Sequence, residues 1–168
     1  MNLSRRIRLW CLIGLLACTV GCDQASKHLA RTRLSESNPV MLSGGVIELR
    51  LAENPGSFLS LGALLPDTLR FAVFTLGVGT GLLGLTLYLT GQTRIALMRF
   101  IGLSLVTAGG ISNLLDRILR HGLVTDFATI RIGPLHTGVF NVADVLIMIG
   151  IGLIVWSLRK RRLPEGSQ

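Results

Sequence analysis

Four stretches of this chain stay apolar for about twenty residues each, the length a helix needs to cross a hydrocarbon layer of about 30 Å. They run Leu9–His28, Leu69–Leu89, Phe100–Leu119 and Val139–Leu158. A chain with four such stretches in 168 residues has little left over for a soluble core. Only 15% of its residues are charged, against roughly 25% in soluble domains. The sequence therefore predicts an all-α polytopic membrane protein with four transmembrane helices, forming one membrane-embedded domain over residues 1–168.

The net charge of +8 does not point to nucleic acid. The basic residues gather at the ends of the apolar runs: Arg5, Arg6 and Arg8; Arg94 and Arg99; Arg159 to Arg162. Such flanks hold helices in a bilayer, so membrane lipids are the expected surroundings. Their density places both termini on the cytoplasmic side, with residues 29–68 and 120–138 outside. In the first outer segment Val46, Glu48 and Arg50 alternate with Ile47, Leu49 and Leu51, which predicts a short strand. Asn54-Pro55-Gly56-Ser57 then marks a turn, so a small extracytoplasmic β-element is expected. Cys11, Cys18 and Cys22 all fall in the first apolar segment and are read as small packing residues. The basic start and "LLAC" at Cys18 look like a lipoprotein signal peptide, but three further spanning segments argue for an uncleaved first helix.

Polar residues interrupt the apolar runs at one depth. At about 1.5 Å per residue from the cytoplasmic ends, Asp23 lies roughly 21 Å up, Asn113 roughly 20 Å, Asp116 roughly 24 Å and Asp144 roughly 21 Å. Ionisable groups at membrane depth are costly, and three helices converging on one layer mark a functional site in its outer third. Asn113, Asp116 and Arg117 share a helical face, and Gly109 and Gly110 before them allow close helix approach. Arg117 is expected to neutralise Asp116. Asn141 and Asp144 repeat the three-residue spacing. Asp23 and Lys27 are four apart, either a structural ion pair or part of the site. Asp144 has no cation within a turn. Asp126 lies in the outer connection among apolar neighbours, where a loop or turn role competes with a functional one. A transporter would place such groups nearer the midplane, and an assembly factor would not need an unpaired membrane acid.

Five ordered blocks, "DQASK", "ENPGSFLSLG", "GGISNLLDRI", "VTDF" and "FNVAD", resemble the lipoprotein signal peptidase (signal peptidase II) family over nearly the whole chain. The resemblance implies an aspartyl endopeptidase of the bacterial cytoplasmic (inner) membrane, with the catalytic acids Asp126 and Asp144 toward the outer face. It implies lipid-modified prolipoproteins as substrates, cleaved before the lipidated cysteine, and no metal or cofactor. A monomer is expected. Asn113, Asp116, Arg117 and Asn141 match positions that line or brace the site; Asn54, Gly56, Asp23 and Lys27 match other recurrent positions. The chain departs from the family in "NPGSFLSLG", which commonly has Ala before Phe, and in "VTDFATI", which lacks a second acid. His28, His121 and His136 have no metal-ligand spacing.

Overall fold

The structure, a computed structural model, describes residues 4–55, 65–92 and 94–159. Gly56 and Ser57 of the expected turn lie outside the described residues, as does much of the C-terminal basic run. All four apolar stretches are helical. The first is α1 (Arg5–Arg33). The second is a composite of α2 (Asp67–Phe71), a π-helical turn (Ala72–Gly77) and α3 (Val78–Gly91). The third and fourth are α4 (Leu97–Leu119) and α5 (Val142–Arg159). Each is long and apolar enough to cross a membrane.

Helix α1 continues past the expected end at His28. Asp23 and Lys27 would be poor residues for the interior of a lone apolar helix. Here both are fully buried, because they face each other and α4 rather than lipid. Cys11, Cys18 and Cys22 are exposed. The expectation that they pack internally is corrected: they lie on the face of α1 turned away from its neighbours.

Small residues set the separation of α4 from α5. A Cβ on Gly102 would sit 2.7 Å from the Gly150 carbonyl oxygen, and one on Gly109 would sit 2.7 Å from that of Ala143. Backbone lies against backbone at both points, the close approach that glycine permits in membrane helix pairs. Gly110 instead meets the Leu82 side chain of α3. At the other end of the bundle Leu12, Leu89 and Phe100 form an apolar cluster, with the Arg8 guanidinium 4.6 Å from the Phe100 ring centroid.

The all-α expectation is corrected by a four-stranded antiparallel sheet in the order β1 (Val40–Leu42), β2 (Ile47–Asn54), β3 (Val124–Ile132), β4 (Leu135–His136). The strand expected from the alternation at residues 46–51 is β2. Its partner β3 contains Asp126, which the sequence had placed in a loop. The pairing escapes local patterning because β2 and β3 are separated by a whole hairpin of helices. Between Leu49–Ala128 and Ala52–Asp126 the register slips by one residue, a bulge in β2. The chain then returns along β3: Phe140 and Ala128 exchange backbone hydrogen bonds of 2.8 and 2.9 Å. That exchange pins the start of α5 two residues along from Asp126.

Candidate active site

Helix α5 begins at Val142, three residues later than the hydropathy suggested. Asn141 is therefore its N-cap, and Asp144 stands at the third helical position. The Asp144 amide donates to Asn141 Oδ1 at 3.0 Å, and the Asn141 amide donates back to Asp144 Oδ2 at 3.1 Å. This is a reciprocal capping box. A third orphan amide of the helix start, that of Ala143, donates to Asp23 Oδ1 at 2.8 Å. The "FNVAD" block thus carries a local structural signal as well as an acid, and the sequence reading caught the spacing but not the cap.

Two asparagines link Asp144 to Asp126. Asn113 Nδ2 donates to Asp144 Oδ1 at 2.9 Å. Asn141 Nδ2 donates to Asn113 Oδ1 at 3.1 Å and to Asp126 Oδ1 at 2.7 Å. Asn54, at the end of β2, donates to Asp126 Oδ2 at 2.9 Å. Both oxygens of Asp126 therefore accept amide donors, yet the carboxyl is 2% exposed. Burial, reinforced by the nearby Asp144, lifts its pKa to about 6 against the opposing hydrogen bonds from Asn54 and Asn141. Asp144 is half-buried and opens on a groove of ≈ 480 Å³ walled by Phe140, Val145, Met148 and Ile149.

Beneath this pair lies a buried ionic cluster. Lys27 Nζ is 2.7 Å from Asp23 Oδ2, 3.1 Å from Asp116 Oδ2 and 2.8 Å from Asn113 Oδ1. Each carboxylate has further donors. Asp23 accepts from Ser112 Oγ at 2.7 Å. Asp116 accepts from Gln24 Nε2 at 2.9 Å and from the Thr125 amide at 3.1 Å. The expectation that Arg117 neutralises Asp116 is corrected: Lys27 of α1 does so. Adjacent residues on a helix do not face each other. Arg117 instead lies within electrostatic reach of Asp126 and Asp144 first, and Asp116 after them.

The structure thus brings together Asp23, Lys27, Asn54, Asn113, Asp116, Asn141, Asp126 and Asp144 in one hydrogen-bonded array. Sequence reasoning missed Gln24, Ser112 and Thr125, and also Arg31, whose Nη1 donates to Thr125 Oγ1 at 2.9 Å. Gln24 and Ser112 sit inside the quoted blocks, and extending the depth argument to neutral polar residues would have found them. Thr125 also sits inside a quoted block, but its role and that of Arg31 depend on how β3 docks against α1, which a depth count along one helix does not read. Chemically, the array holds two carboxyls on different elements with amides between them. One is unpaired by any lysine or arginine hydrogen bond among the described residues, and the other is poised to hold a proton.

Comparison with known proteins identifies the family. A family model described as signal peptidase (SPase) II matches residues 15–160. A lipoprotein signal peptidase of Moorella thermoacetica is 34% identical over 157 residues, covering 94% of this chain and 95% of the relative. One of Desulforapulum autotrophicum is 33% identical over 167 residues, covering 98% and 99%. A solved bacterial membrane enzyme shares the fold at a TM-score of 0.76, with 23% identity over 94% of both chains. With described residues of each motif block joined in one hydrogen-bonded array and the family model matching most of its length, the chain belongs to the signal peptidase II family.

Proposed function

We propose that this chain is a membrane aspartyl endopeptidase in which Asp126 and Asp144 remove the signal peptide from diacylglyceryl-modified prolipoproteins, on the N-terminal side of the lipidated cysteine. The observation that carries the assignment of the two acids is their linkage through Asn113 and Asn141, with Asp144 facing an open apolar groove. An aspartyl dyad works with one proton shared between its two carboxyls. Asp126, buried and lifted to about 6, is the member that holds it. Asp144 is then the general base that takes a proton from water, while Asp126 donates a hydrogen bond to the scissile carbonyl oxygen. Hydroxyl attack, with transfer of the Asp126 proton to the carbonyl oxygen, gives a tetrahedral gem-diol intermediate. Its collapse breaks the C–N bond as the proton on Asp144 passes to the leaving amine, and Asp126 recovers its own. Arg117, within electrostatic reach of both acids, is placed to bind substrate backbone oxygen. Asn54, with Gly56 outside the described residues, belongs to the substrate-binding side of the site.

We place the dyad toward the outer face, with both termini cytoplasmic and the sheet at the outer membrane surface. The clustering of arginine at the opposite helix ends supports this orientation. The substrate bond then lies beside a lipid anchored in the outer leaflet. The deciding experiment is cleavage of a diacylglyceryl-modified prolipoprotein in detergent by the parent, Asp126→Asn and Asp144→Asn proteins. Cleavage by the parent alone is expected; retained cleavage by either folded variant would overturn the dyad.

A further inference from the structure

The second span departs from a plain α-helix at the π-helical turn Ala72–Gly77, a winding found frequently at functional sites. Beside that turn is a second cavity, apart from the acid pair, lined by Arg70, Phe71, Phe74, Thr75, His121 and Gly122. Its volume of ≈ 140 Å³ is well below the ~300 Å³ where drug-sized pockets begin. It has room for a small group only.

Three of the lining side chains point to an anion. Arg70 supplies a permanent charge and His121 a ring nitrogen donor. Thr75 is 6% exposed, and its hydroxyl has no hydrogen-bond partner among the described residues. On the same span Thr80, Thr86 and Thr90 each return their hydroxyl to a carbonyl one turn back, at 2.8 to 3.0 Å. Thr75 departs from that habit where the winding changes. Burying an unpartnered hydroxyl is unfavourable, and a ligand oxygen in the cavity would satisfy it. His121 is held on the wall by a left-handed backbone, φ 54°, followed by Gly122 at φ 94°. The Gly122 amide closes the turn onto the Arg117 carbonyl at 2.7 Å. That bond also matters electrostatically, because it occupies a carbonyl at the negative end of α4 that would otherwise repel an anion.

The position of the cavity suggests where the anion comes from. Arg70 lies near the start of the span Thr68–Gly91, and His121 lies two residues beyond the end of α4. Both stand at one end of the bundle, the level at which lipid headgroups meet helix ends. Phe71, half exposed, extends the wall toward the acyl region.

We propose that this cavity is a phosphate-binding site at the membrane interface, taking the phosphate of a glycerophospholipid or, by the same chemistry, free inorganic phosphate. Arg70 pairs with the anionic oxygens, Thr75 and His121 donate to them, and the two phenylalanines flank the ester carbons. The proposal does not depend on the peptidase reading.

Native mass spectrometry of the full chain in detergent tests it, with phosphatidylglycerol as probe and diacylglycerol of the same acyl chains as the phosphate-free control. One phosphatidylglycerol should be retained per chain and diacylglycerol should not. Thr75→Val and Arg70→Gln should each weaken retention about tenfold, the loss expected for one hydrogen bond to a charged group. Thr75→Val is close to isosteric, so it decides the matter if Arg70→Gln fails to fold. Displacement of the lipid by inorganic phosphate assigns the site to free phosphate, and persistence of the lipid assigns it to the headgroup. Equal retention of diacylglycerol, or unchanged retention by folded Thr75→Val, would overturn the site.

Discussion

Replacing Lys27 by Met keeps most of the side-chain volume and removes one positive charge from a place water does not reach. The ammonium is fully buried and lies within 3.1 Å of three oxygens, on Asp23, Asp116 and Asn113. Without it, Asp23 keeps Ser112 Oγ and the Ala143 amide, and Asp116 keeps Gln24 and the Thr125 amide. Those neutral donors satisfy the geometry but leave two buried carboxylates with no cation in direct contact among the described residues, since Arg117 acts on Asp116 only at longer range. Breaking a buried pair by removing one partner costs about 3–5 kcal/mol, whereas an exposed pair gives about 1 kcal/mol or less. The expected loss is therefore the larger figure. Adding Asp116→Asn to Lys27→Met removes one stranded charge and should return part of that loss, so the two substitutions should be strongly non-additive. The assay is reversible unfolding in mixed micelles of dodecyl maltoside and dodecyl sulfate, followed by helical circular dichroism. A loss near 1 kcal/mol for Lys27→Met, with simple additivity in the double variant, would refute the reasoning. It would mean that the cluster is hydrated.

Other outcomes follow from the packing and the charges. Gly109→Ala drives a Cβ against the Ala143 carbonyl oxygen next to Asp144, while Gly102→Ala does the same at Gly150, remote from the acids. Both should cost about 1–3 kcal/mol through overpacking, measured by the same unfolding assay. The kcat of Gly109→Ala should fall well below that of Gly102→Ala, and equal kcat values would show that α5 does not carry the displacement to Asp144. Asp126 has its folded-state pKa raised from 3.8 to about 6, chiefly by burial. Its stabilising contribution is thus complete below the unfolded value and lost as pH rises through about 6. The full shift corresponds to ~3 kcal/mol, and partial exposure of the surroundings reduces this to about 2 kcal/mol. Asp126→Asn has no such loss. Unfolding measured at acid and at neutral pH should show the variant gaining on the parent as pH rises, and parallel profiles would contradict the burial argument.

The four spans were legible because hydropathy is a local property, and a run of twenty apolar residues has few other uses. Depth along a helix is local in the same way, and Asp23, Asn113, Asp116 and Asp144 do meet. What the relation of two elements decides is not written in either element alone. The i, i+4 spacing of Asp23 and Lys27 announced a pair, but not that Asp116 of α4 shares the ammonium, since only the packing of α1 on α4 decides that. Asp126 was obscured for the same reason, its strand being paired with a segment some seventy residues earlier. Spacing alone makes Asn141 a helical neighbour of Asp144, whereas it is the cap, because the hydropathic edge of the fourth span and the physical start of its helix differ by three residues.

The bulge in β2 turns these observations into a rule about length. Side chains on a strand alternate between its two faces, so a single added residue exchanges one face for the other from that point on. Before the slip, Glu48 pairs with Thr129; after it, Ala52 pairs with Asp126 and Asn54 with Val124. An even continuation from Leu49–Ala128 would set Asn54 opposite Leu123, facing away from Asp126. The hydrogen bond between Asn54 and the acid therefore exists because of how many residues lie between Leu49 and Ala52, whatever those residues are. Arg50 and Leu51 act toward the acid as spacers whose number is constrained, although Arg50 also pairs with Glu48 at 3.5 Å. Substitutions there should leave the bond between Asn54 and Asp126 in place, and the loss of either residue would detach β2 from the acid it helps to hold.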